Sequence, residues 1–397
     1  MKIGIFTESY KPYTSGVVTS ISTFKDELTR LGHDIYIFAP SYPNQDEEED
    51  NVFRYFSIPA PTNPGYTLAL PVHPGMPSLM KKLQLDIIHV HSPFTLGRVG
   101  LHYARKFDLP MLFTYHTRYD QYVHYVRMAQ DLVKDVTIKY SRHFCNERDH
   151  IIAPSHEIES IIRSFLVTTP ITVVPTGIPL EKFQDGNASW LRKNYPIPPH
   201  HKILLYAGRL SPEKNIPFLI ESFQRIRCTL PDTTLVLVAG GPLEEELREF
   251  TASMGWSEQD VVFTGQLPFE SLVNAYFAAD LFVFSSLTET QGLVLVEAMA
   301  AGLPVVAVRA SGVREMVRDG TDGLLTNENS DEFAAAVCRI LQDDRYYRHL
   351  QANARHRAEQ MSSQNMALIL QDVYEQLNGS EHHRSRNIRK ISSWIRS

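Results

Sequence analysis

Short apolar segments recur along the whole chain, and most are separated by stretches in which apolar residues repeat at helical spacing. In the first half, strands are predicted at residues 3–6, 34–39, 87–90, 111–115, 151–154 and 171–175. In the second half, strands are predicted at residues 203–208, 235–240, 261–265, 281–285, 305–308 and 323–326. This alternation of strands with helices predicts an α/β fold, with parallel sheets covered on both faces.

The two series of strands predict two Rossmann-like domains that face each other across a cleft. A stretch rich in proline and polar residues joins the two series near residues 176–200. We place the N-terminal domain at residues 1–178 and the C-terminal domain at residues 179–362. We expect a terminal helix at 363–380 that packs back toward the N-terminal domain, followed by a basic tail at 381–397.

The composition of the 397 residues is that of an ordinary globular protein, with 43% hydrophobic and 21% charged residues. A net charge of −6 gives no sign of nucleic-acid binding. The three cysteines are far apart in sequence, which argues against a disulfide framework or a structural zinc site and fits a reducing cytosol. We find neither a signal peptide nor the roughly 20 apolar residues that span a bilayer. We therefore expect a cytoplasmic protein, soluble or peripherally attached to a membrane.

The segment between the predicted strands 281–285 and 305–308 carries the strongest functional signal. Glu289 lies in the loop after the first strand, Gly292 permits a turn, and Glu297 lies about one and a half turns into the following helix. A glycine turn and a helix N-terminus form a ready site for a phosphate. Carboxylates accept paired hydrogen bonds from vicinal hydroxyls. The segment therefore predicts a nucleotide-sugar site.

The turn after the first predicted strand differs from a dinucleotide fingerprint. The sequence G-x-G-x-x-G is absent there, and a single glycine, Gly16, precedes the helix. This pattern weakens a nicotinamide-dehydrogenase interpretation.

Four segments together resemble the GT-B glycosyltransferases, in particular the retaining family 4. They are P-Y-T-S-G-V-V (12–18), T-Y-H-T-R-Y (114–119), A-G-R-L-S-P-E-K-N (207–215) and E-x7-E (289–297). One departure is Ser15, where many relatives have a second glycine; we expect phosphate still to approach Gly16. The resemblance covers nearly the whole chain and implies a GT-B fold, with an acceptor-binding N-terminal domain and a C-terminal domain that binds a nucleotide sugar.

Arg209 and Lys214 follow the predicted strand 203–208, at the edge of the sheet where ligands bind. An Arg fork and a Lys charge stabilise a departing nucleoside diphosphate without a metal. The alternative is a surface pair near a helix start.

The resemblance implies further donor contacts around the E-x7-E segment. Glu297 is expected to grip the ribose hydroxyls, and Glu289 to contact the transferred sugar. Backbone N–H groups around Gly292, Leu293 and Val294 are expected to bind sugar hydroxyls and phosphate. The alternative for Glu297 is a solvated helix residue, but its apolar neighbours indicate a buried helix in which a carboxylate needs a partner.

Other positions follow from the resemblance alone. Gly16 is expected against the diphosphate, Gln266 and Leu267 around the base, and His116 at the donor sugar near the anomeric carbon. His116, Arg209, Lys214 and Glu289 make up the expected catalytic group, and no metal or other cofactor is expected.

The acceptor site is assigned to Tyr119 and Asp120, the latter to orient the acceptor. His89 and His91 have the spacing of a metal pair on a strand, but no third ligand is evident, so we interpret them as structural.

The motifs look most like those of bacterial diacylglycerol glucosyltransferases. That likeness implies transfer of glucose from UDP-glucose to the 3-hydroxyl of diacylglycerol, with retention. Basic residues in 119–148 and a basic, Trp-containing tail at 381–397 suit an anionic membrane surface, so we expect peripheral association with the inner face of the cell membrane. The alternative for the tail is a solvated segment.

Three other functions remain open from the sequence. The same fold accommodates a GDP-mannose donor with a phosphatidylinositol mannoside, a soluble sugar or a polysaccharide intermediate as acceptor. A peripheral membrane protein that binds nucleotide sugars without transferring them is a second possibility. A nicotinamide dehydrogenase is the third, and it lacks its glycine fingerprint.

Overall fold

The chain is described here by a computed structural model that covers residues 1–43, 49–60, 63–117, 130–289 and 291–379. It divides into two compact units. Unit 1 comprises Met1–Thr176 together with the segment that begins at Ser363, and unit 2 comprises Gly177–Ser362.

Unit 1 contains a parallel sheet of seven strands among its described residues, with a separate two-stranded antiparallel ribbon. The strands are β1 (Lys2–Phe6), β2 (Asp34–Pro40), β3 (Val52–Tyr55), β4 (Ser57–Ala60), β5 (Asn63–Ala69), β6 (Ile87–Val90), β7 (Met111–Thr114), β8 (His150–Ala153) and β9 (Ile171–Val173). The sheet order is β3-β2-β1-β6-β7-β8-β9, and β4 pairs with β5 in the ribbon.

Helices cover both faces of this sheet because its strands carry apolar side chains on both sides. In β1, Ile3 and Ile5 pack in one core and Phe6 packs in the other. The helices of the first part of the chain are α1 (Gly16–Arg30), α2 (Met76–Leu83), α3 (Thr95–Phe107), α4 (Gln130–Asn146) and α5 (His156–Ser164).

Unit 2 is built on a parallel sheet of six strands in the order β12-β11-β10-β13-β14-β15, as far as the chain is described. The strands are β10 (Lys202–Ala207), β11 (Thr233–Val238), β12 (Val261–Phe263), β13 (Leu281–Phe284), β14 (Val305–Val308) and β15 (Gly323–Thr326). The helices are α6 (Trp190–Asn194), α7 (Ile216–Thr229), α8 (Glu244–Ser253), α9 (Phe269–Ala278), α10 (Leu293–Ala300), α11 (Ser311–Met316), α12 (Ser330–Gln342) and α13 (Asp344–Gln360). Short 3₁₀ turns lie at Leu180–Phe183 and Pro212–Lys214.

A last helix, α14 (Ser363–Gly379), belongs to unit 1 and packs against α1. Its apolar residues recur at helical spacing, and Ala367, Leu370 and Tyr374 are buried in the same core as β1. The Ser363 hydroxyl donates to Glu27 Oε1 at 2.6 Å, which anchors the start of the helix on α1.

Both sheets reverse their strand order once, between β1 and β6 in unit 1 and between β10 and β13 in unit 2. In open α/β sheets, ligands bind beyond the carboxyl ends of the strands at such a reversal. The loops after β1, β6, β10 and β13 are therefore the places to examine for chemistry.

The predicted α/β class with parallel, Rossmann-like sheets is confirmed. The structure also has β3 and the β4–β5 ribbon, which the sequence pattern did not predict because their segment is interrupted by prolines and glycine. Within the described ranges, no helix is both long enough and apolar enough to cross a membrane.

Candidate active site

The loops after β10 and β13 are tied together at the strand-order reversal of unit 2. The Ser285 hydroxyl donates to the Lys214 carbonyl at 2.7 Å, and the Leu287 N–H donates to the Glu213 carbonyl at 3.2 Å. The ammonium group of Lys214 also forms a hydrogen-bonded ion pair with Glu289. Residues 75 positions apart in sequence thus form one polar cluster, and two of them were predicted site residues.

Arg209 is exposed in the loop directly after β10. That loop lies very close to the loop after β11: the Leu210 N–H donates to the Gly240 carbonyl at 3.0 Å. A Cβ atom on Gly241 would lie 2.3 Å from the Leu210 carbonyl oxygen, so only glycine fits there. The close packing holds the backbone and leaves the guanidinium of Arg209 in solvent, available to an anion.

The turn before α10 depends on Gly292, whose φ of 68° lies in the left-handed region that favours glycine. Leu293 is the first residue of the helix, and Val294 follows it. N–H groups in the first turn of a helix lack intrahelical acceptors and carry the positive end of the helix dipole. The turn therefore offers an anion site beside the Lys214–Glu289 pair.

Glu297 lies on α10 and is partly buried. The Tyr276 hydroxyl, from the buried end of α9, donates to Glu297 Oε2 at 2.9 Å. Burial raises the pKa of Glu297, and the bond from Tyr276 opposes that shift. Burial also raises the pKa of Tyr276, as does the neighbouring Glu297 charge. Tyr276 is a residue that sequence reasoning missed, since a tyrosine in an apolar helix gives no signal of its partner.

Gln266 and Leu267 follow β12, the edge strand beside β11. Gln266 is exposed, and its Cβ lies 3.7 Å from where a Cβ on Gly240 would stand. The structure thus brings these two residues alongside the loop that packs on Leu210, at the same edge of the sheet as Arg209.

In unit 1, Gly16 is the exposed first residue of α1. Ser15 is the N-cap, and its side chain accepts from the Val18 N–H at 3.3 Å. A glycine at position 15 would lack this cap. The departure at Ser15 therefore stabilises the helix end, and a Cβ on Gly16 would meet no atom within 4 Å, so the approach to the helix terminus is open.

Three histidines lie together near the carboxyl ends of β6 and β7: His89 within β6, and His91 and His116 just beyond the two strands. His91 Nδ1 lies 2.8 Å from His116 Nε2, with the two rings stacked at 5.1 Å. His89 Nδ1 lies 2.7 Å from the Tyr374 hydroxyl, and its Nε2 lies 2.6 Å from the Thr114 hydroxyl. Both nitrogens of His89 therefore have protein partners, which fits a structural role better than a metal site.

Burial lowers the pKa of all three rings. The pKa falls to about 3 for His89 and to about 4 for His116, and it falls well below the usual value for His91. The rings are therefore neutral at pH 7. Any contact that His116 makes with a ligand is a hydrogen bond from a neutral imidazole.

Glu8, directly after β1, is a second residue that sequence reasoning missed. It is buried, and its carboxylate accepts from the Leu96 N–H at 2.5 Å and the Ser92 hydroxyl at 3.3 Å. It thereby caps α3, whose own N-cap residue, Phe94, makes no side-chain cap hydrogen bond. Burial raises the pKa of Glu8 to about 7, and the available signal was an acidic residue at the end of an apolar strand.

Tyr119 and Asp120, the predicted acceptor residues, lie outside the described residues. The same holds for part of the basic segment 119–148 and for the tail 381–397.

Comparison with known families connects these features. Residues 14–182 match the model of a family described as Glycosyltransferase Family 4, and residues 201–343 match one described as Glycosyl transferases group 1. The chain is 34% identical, over 348 residues, to alpha-monoglucosyldiacylglycerol synthase of Streptococcus pneumoniae, which covers 86% of this chain and 78% of that protein. The chain belongs to glycosyltransferase family 4.

A second relative is the alpha-monoglucosyldiacylglycerol synthase of Acholeplasma laidlawii, 31% identical over 371 residues, or 89% of this chain and 92% of that protein. Among solved structures, sucrose-phosphate synthase from Thermosynechococcus elongatus superposes with a TM-score of 0.73 at 23% identity, over 95% of this chain and 98% of that chain. Anabaena HepE in complex with UDP superposes with a TM-score of 0.75 at 20% identity, over 94% and 99% of the two chains. The fold is that of the GT-B glycosyltransferases, and the chain is a glycosyltransferase.

Proposed function

We propose that this glycosyltransferase transfers glucose from UDP-glucose to the 3-hydroxyl of 1,2-diacylglycerol, with retention, to form an alpha-linked monoglucosyl diacylglycerol. The observation that carries the proposal is the 34% and 31% identity, over most of the chain, to two alpha-monoglucosyldiacylglycerol synthases. The GDP-mannose-dependent alpha-mannosyltransferase of Corynebacterium glutamicum is 29% identical over 357 residues, so a mannose donor is the competing possibility.

The donor diphosphate is proposed to bind at the strand-order reversal of unit 2. Arg209 supplies an exposed guanidinium after β10, and the N-terminus of α10 supplies N–H groups around Leu293 and Val294. Negative charge on the leaving diphosphate grows in the transition state, so preorganised donors there lower the barrier. Gly16, the exposed first residue of α1, remains a proposed diphosphate contact.

Lys214 is the second cation of this proposed site. In the free protein its ammonium group is paired with Glu289, and both side chains are mostly buried, at 18% and 15% exposure. Hydrogen bonds to its own carbonyl and to that of the preceding Glu213 hold this backbone in place, so the charge is positioned before donor binds. Glu289 is proposed to orient Lys214 and to accept a hydroxyl of the transferred hexose.

The nucleoside is proposed to lie along α10 and the loop after β12. Tyr276 fixes one oxygen of the Glu297 carboxylate, and a carboxylate oriented in this way accepts two vicinal ribose hydroxyls. Gln266 and Leu267 are proposed to cradle the base, because they lie beside the loop at Gly240.

His116 is proposed to hydrogen-bond the hexose near the anomeric carbon as a neutral imidazole. No side chain is assigned as a covalent nucleophile. The acceptor hydroxyl then attacks from the face that the diphosphate leaves, and the departing phosphate takes its proton. Tyr119 and Asp120 remain the proposed acceptor residues, and the inner face of the cell membrane remains the proposed location.

The test uses purified protein with vesicles that contain diacylglycerol, and supplies UDP-glucose or GDP-mannose. Mass spectrometry identifies the product, and NMR coupling constants give the linkage. We expect an alpha-linked monoglucosyl diacylglycerol from UDP-glucose alone. A mannolipid from GDP-mannose, or a beta-linked glucolipid, would overturn the proposed donor or stereochemistry. Release of UDP without a lipid product would support the proposed donor and overturn the proposed acceptor.

A further inference from the structure

The two-stranded ribbon of unit 1 presents large apolar side chains to solvent. Ile58 on β4 pairs with Leu68 on β5, and the Leu70 N–H donates to the Phe56 carbonyl at 2.8 Å, so the four residues form two adjacent cross-strand pairs. Their exposed fractions are 66% for Phe56, 45% for Ile58, 43% for Leu68 and 38% for Leu70. The apolar ribbon is defined here as these four residues with β4 and β5.

Burial alternates along β5, so one face of the ribbon is buried and the exposed apolar residues lie on the other. Thr67 and Ala69 are buried, while Leu68 between them is exposed. A ribbon that packs one face on a protein and leaves the other in water normally places polar residues outward. Here the outward positions are apolar instead. Clustered exposed apolar residues of this kind mark an interaction surface.

The charge around the apolar ribbon indicates what it contacts. Residues 52–85 contain no Asp or Glu, although Asp and Glu account for 45 of the 397 residues. The charged residues in this stretch are Arg54, Lys81 and Lys82. Both lysines are exposed on α2, the helix that follows the ribbon in the chain. A segment that carries exposed apolar residues and lysines, and no Asp or Glu of its own, complements an anionic bilayer.

We propose that the apolar ribbon inserts into the headgroup region of an anionic membrane, with Lys81 and Lys82 against the lipid phosphates. This inference rests on the proposed function, since a diacylglycerol acceptor is reached in a bilayer. The ribbon's strands satisfy their facing hydrogen bonds with each other, so shallow insertion exposes few unpaired groups. A second copy of this chain fits less well, because its segment 52–85 carries the same positive charge and no Asp or Glu to complement it.

The first test measures the binding of the full chain to vesicles of phosphatidylcholine and phosphatidylglycerol by sedimentation. The double variant Ile58→Ser with Leu68→Ser removes two apolar side chains, and we expect its partition coefficient to fall at least about tenfold. The matched control is Leu368→Ser with Ile369→Ser on α14, whose side chains are exposed to a similar extent, 43% and 38%. The control should bind as the parent does. Equal binding by both double variants would overturn the proposal.

The electrostatic part is tested separately with Lys81→Gln and Lys82→Gln. Each is expected to weaken binding to anionic vesicles about fivefold at low salt and to leave binding to phosphatidylcholine vesicles unchanged. An equal loss on both vesicle types would contradict the placement of the lysines against lipid phosphates.

Insertion depth gives a direct readout of the contact. In a background in which the native Trp190, Trp256 and Trp394 are changed to Phe, Phe56→Trp should gain fluorescence quenching from lipids brominated on the acyl chains, whereas Leu368→Trp should not. Quenching of neither tryptophan, or of both equally, would place the contact elsewhere.

Activity assays separate failure of this inference from failure of the proposed function. On diacylglycerol in detergent micelles, the Ile58→Ser/Leu68→Ser variant should keep the parent turnover within about twofold, while turnover on vesicles falls with binding. If the parent makes no glycolipid but its binding to vesicles still depends on the ribbon, the acceptor assignment fails and the ribbon remains the membrane-binding surface. If light scattering shows a dimer that the ribbon variant dissociates, the ribbon is a contact between copies and the proposal fails.

Discussion

Replacement of Tyr276 by phenylalanine tests whether the Tyr276 hydroxyl keeps the Glu297 carboxylate charged and oriented for a ligand. The change removes one hydroxyl and keeps the ring. That hydroxyl donates to Glu297 Oε2 at 2.9 Å, and hydrogen bonds to charged groups contribute about 1.5–3 kcal/mol. Without this bond the buried carboxylate is less well oriented and more readily protonated, and restoring its charged, oriented form on ligand binding costs part of this energy. We therefore expect binding of UDP-glucose to weaken by about 1.4 kcal/mol, which is about tenfold.

The kinetic signature should be a higher KM with little change in kcat, because the ribose contact is the same in the ground state and the transition state. The pH profile adds a second readout. Tyr276 opposes the rise in the pKa of Glu297 that burial causes, so its removal raises that pKa further. Since the charged carboxylate binds the hydroxyls, kcat/KM of the variant should begin to fall at a higher pH than in the parent as the pH is lowered.

Thermal stability provides an independent test of the shift in the pKa of Glu297. A carboxyl group whose pKa is raised by folding binds its proton more tightly in the folded state, so it destabilises the fold as the pH rises toward that pKa. The variant Tyr276→Phe enlarges this effect, and its loss in Tm should be greater at pH 8 than at pH 5. Calorimetry of the free protein at the two pH values measures it.

The matched control is Tyr347→Phe, which removes a hydroxyl that donates at 2.9 Å to the Asp280 carbonyl in the same unit. It should cost stability without changing KM. If Tyr276→Phe left both KM and the pH profile at parent values, or if Tyr347→Phe changed KM equally, the assignment of Glu297 to the ribose would be refuted.

Arg209→Ala should lower kcat by about 10² to 10³ without lowering Tm, because this exposed side chain is proposed to stabilise the leaving diphosphate. Arg225→Ala, at an exposed ion pair, should leave steady-state kinetics unchanged. His116 should remain neutral down to about pH 4, as followed by NMR of its assigned ring signal, and titration of that signal near pH 6.5 would contradict its burial. His91→Leu removes the nitrogen 2.8 Å from His116 and should lower kcat/KM about tenfold, whereas His91→Asn, which can still hydrogen-bond, should lose less. Because burial raises the pKa of Glu8 to about 7, the free energy of unfolding should fall by on the order of 3 kcal/mol as the pH rises from 4.5 to 7. Denaturant titrations of Glu8→Gln should not show this pH dependence.

Much of the fold could be read from the sequence because its signals are local. Parallel strands buried on both faces appear as short apolar runs, and the sequence predicts twelve of the fifteen described strands, all but β3, β4 and β5. The E-x7-E segment could be placed for the same reason, since the strand, Gly292 turn and helix that carry it are contiguous.

Other features depend on pairs that are distant in sequence. The Lys214–Glu289 ion pair joins two predicted residues 75 positions apart, and the bond from Tyr276 to Glu297 joins α9 to α10. The tertiary structure likewise decided that His91 meets His116 and that Glu8 caps α3. None of these pairs leaves a periodic trace in the chain.

The exposed face of the apolar ribbon is a further feature that the local sequence does not determine. Its exposed Ile58 and Leu68 are more apolar than its buried Thr67 and Ala69, so hydrophobicity alone does not say which face meets solvent. Only the register of β4 against β5 assigns Ile58 and Leu68 to one outward face. Local pattern therefore determined the elements of this glycosyltransferase and the position of its E-x7-E motif. Side-chain pairing and the orientation of the ribbon were decided by tertiary packing, because they depend on contacts that no single segment contains.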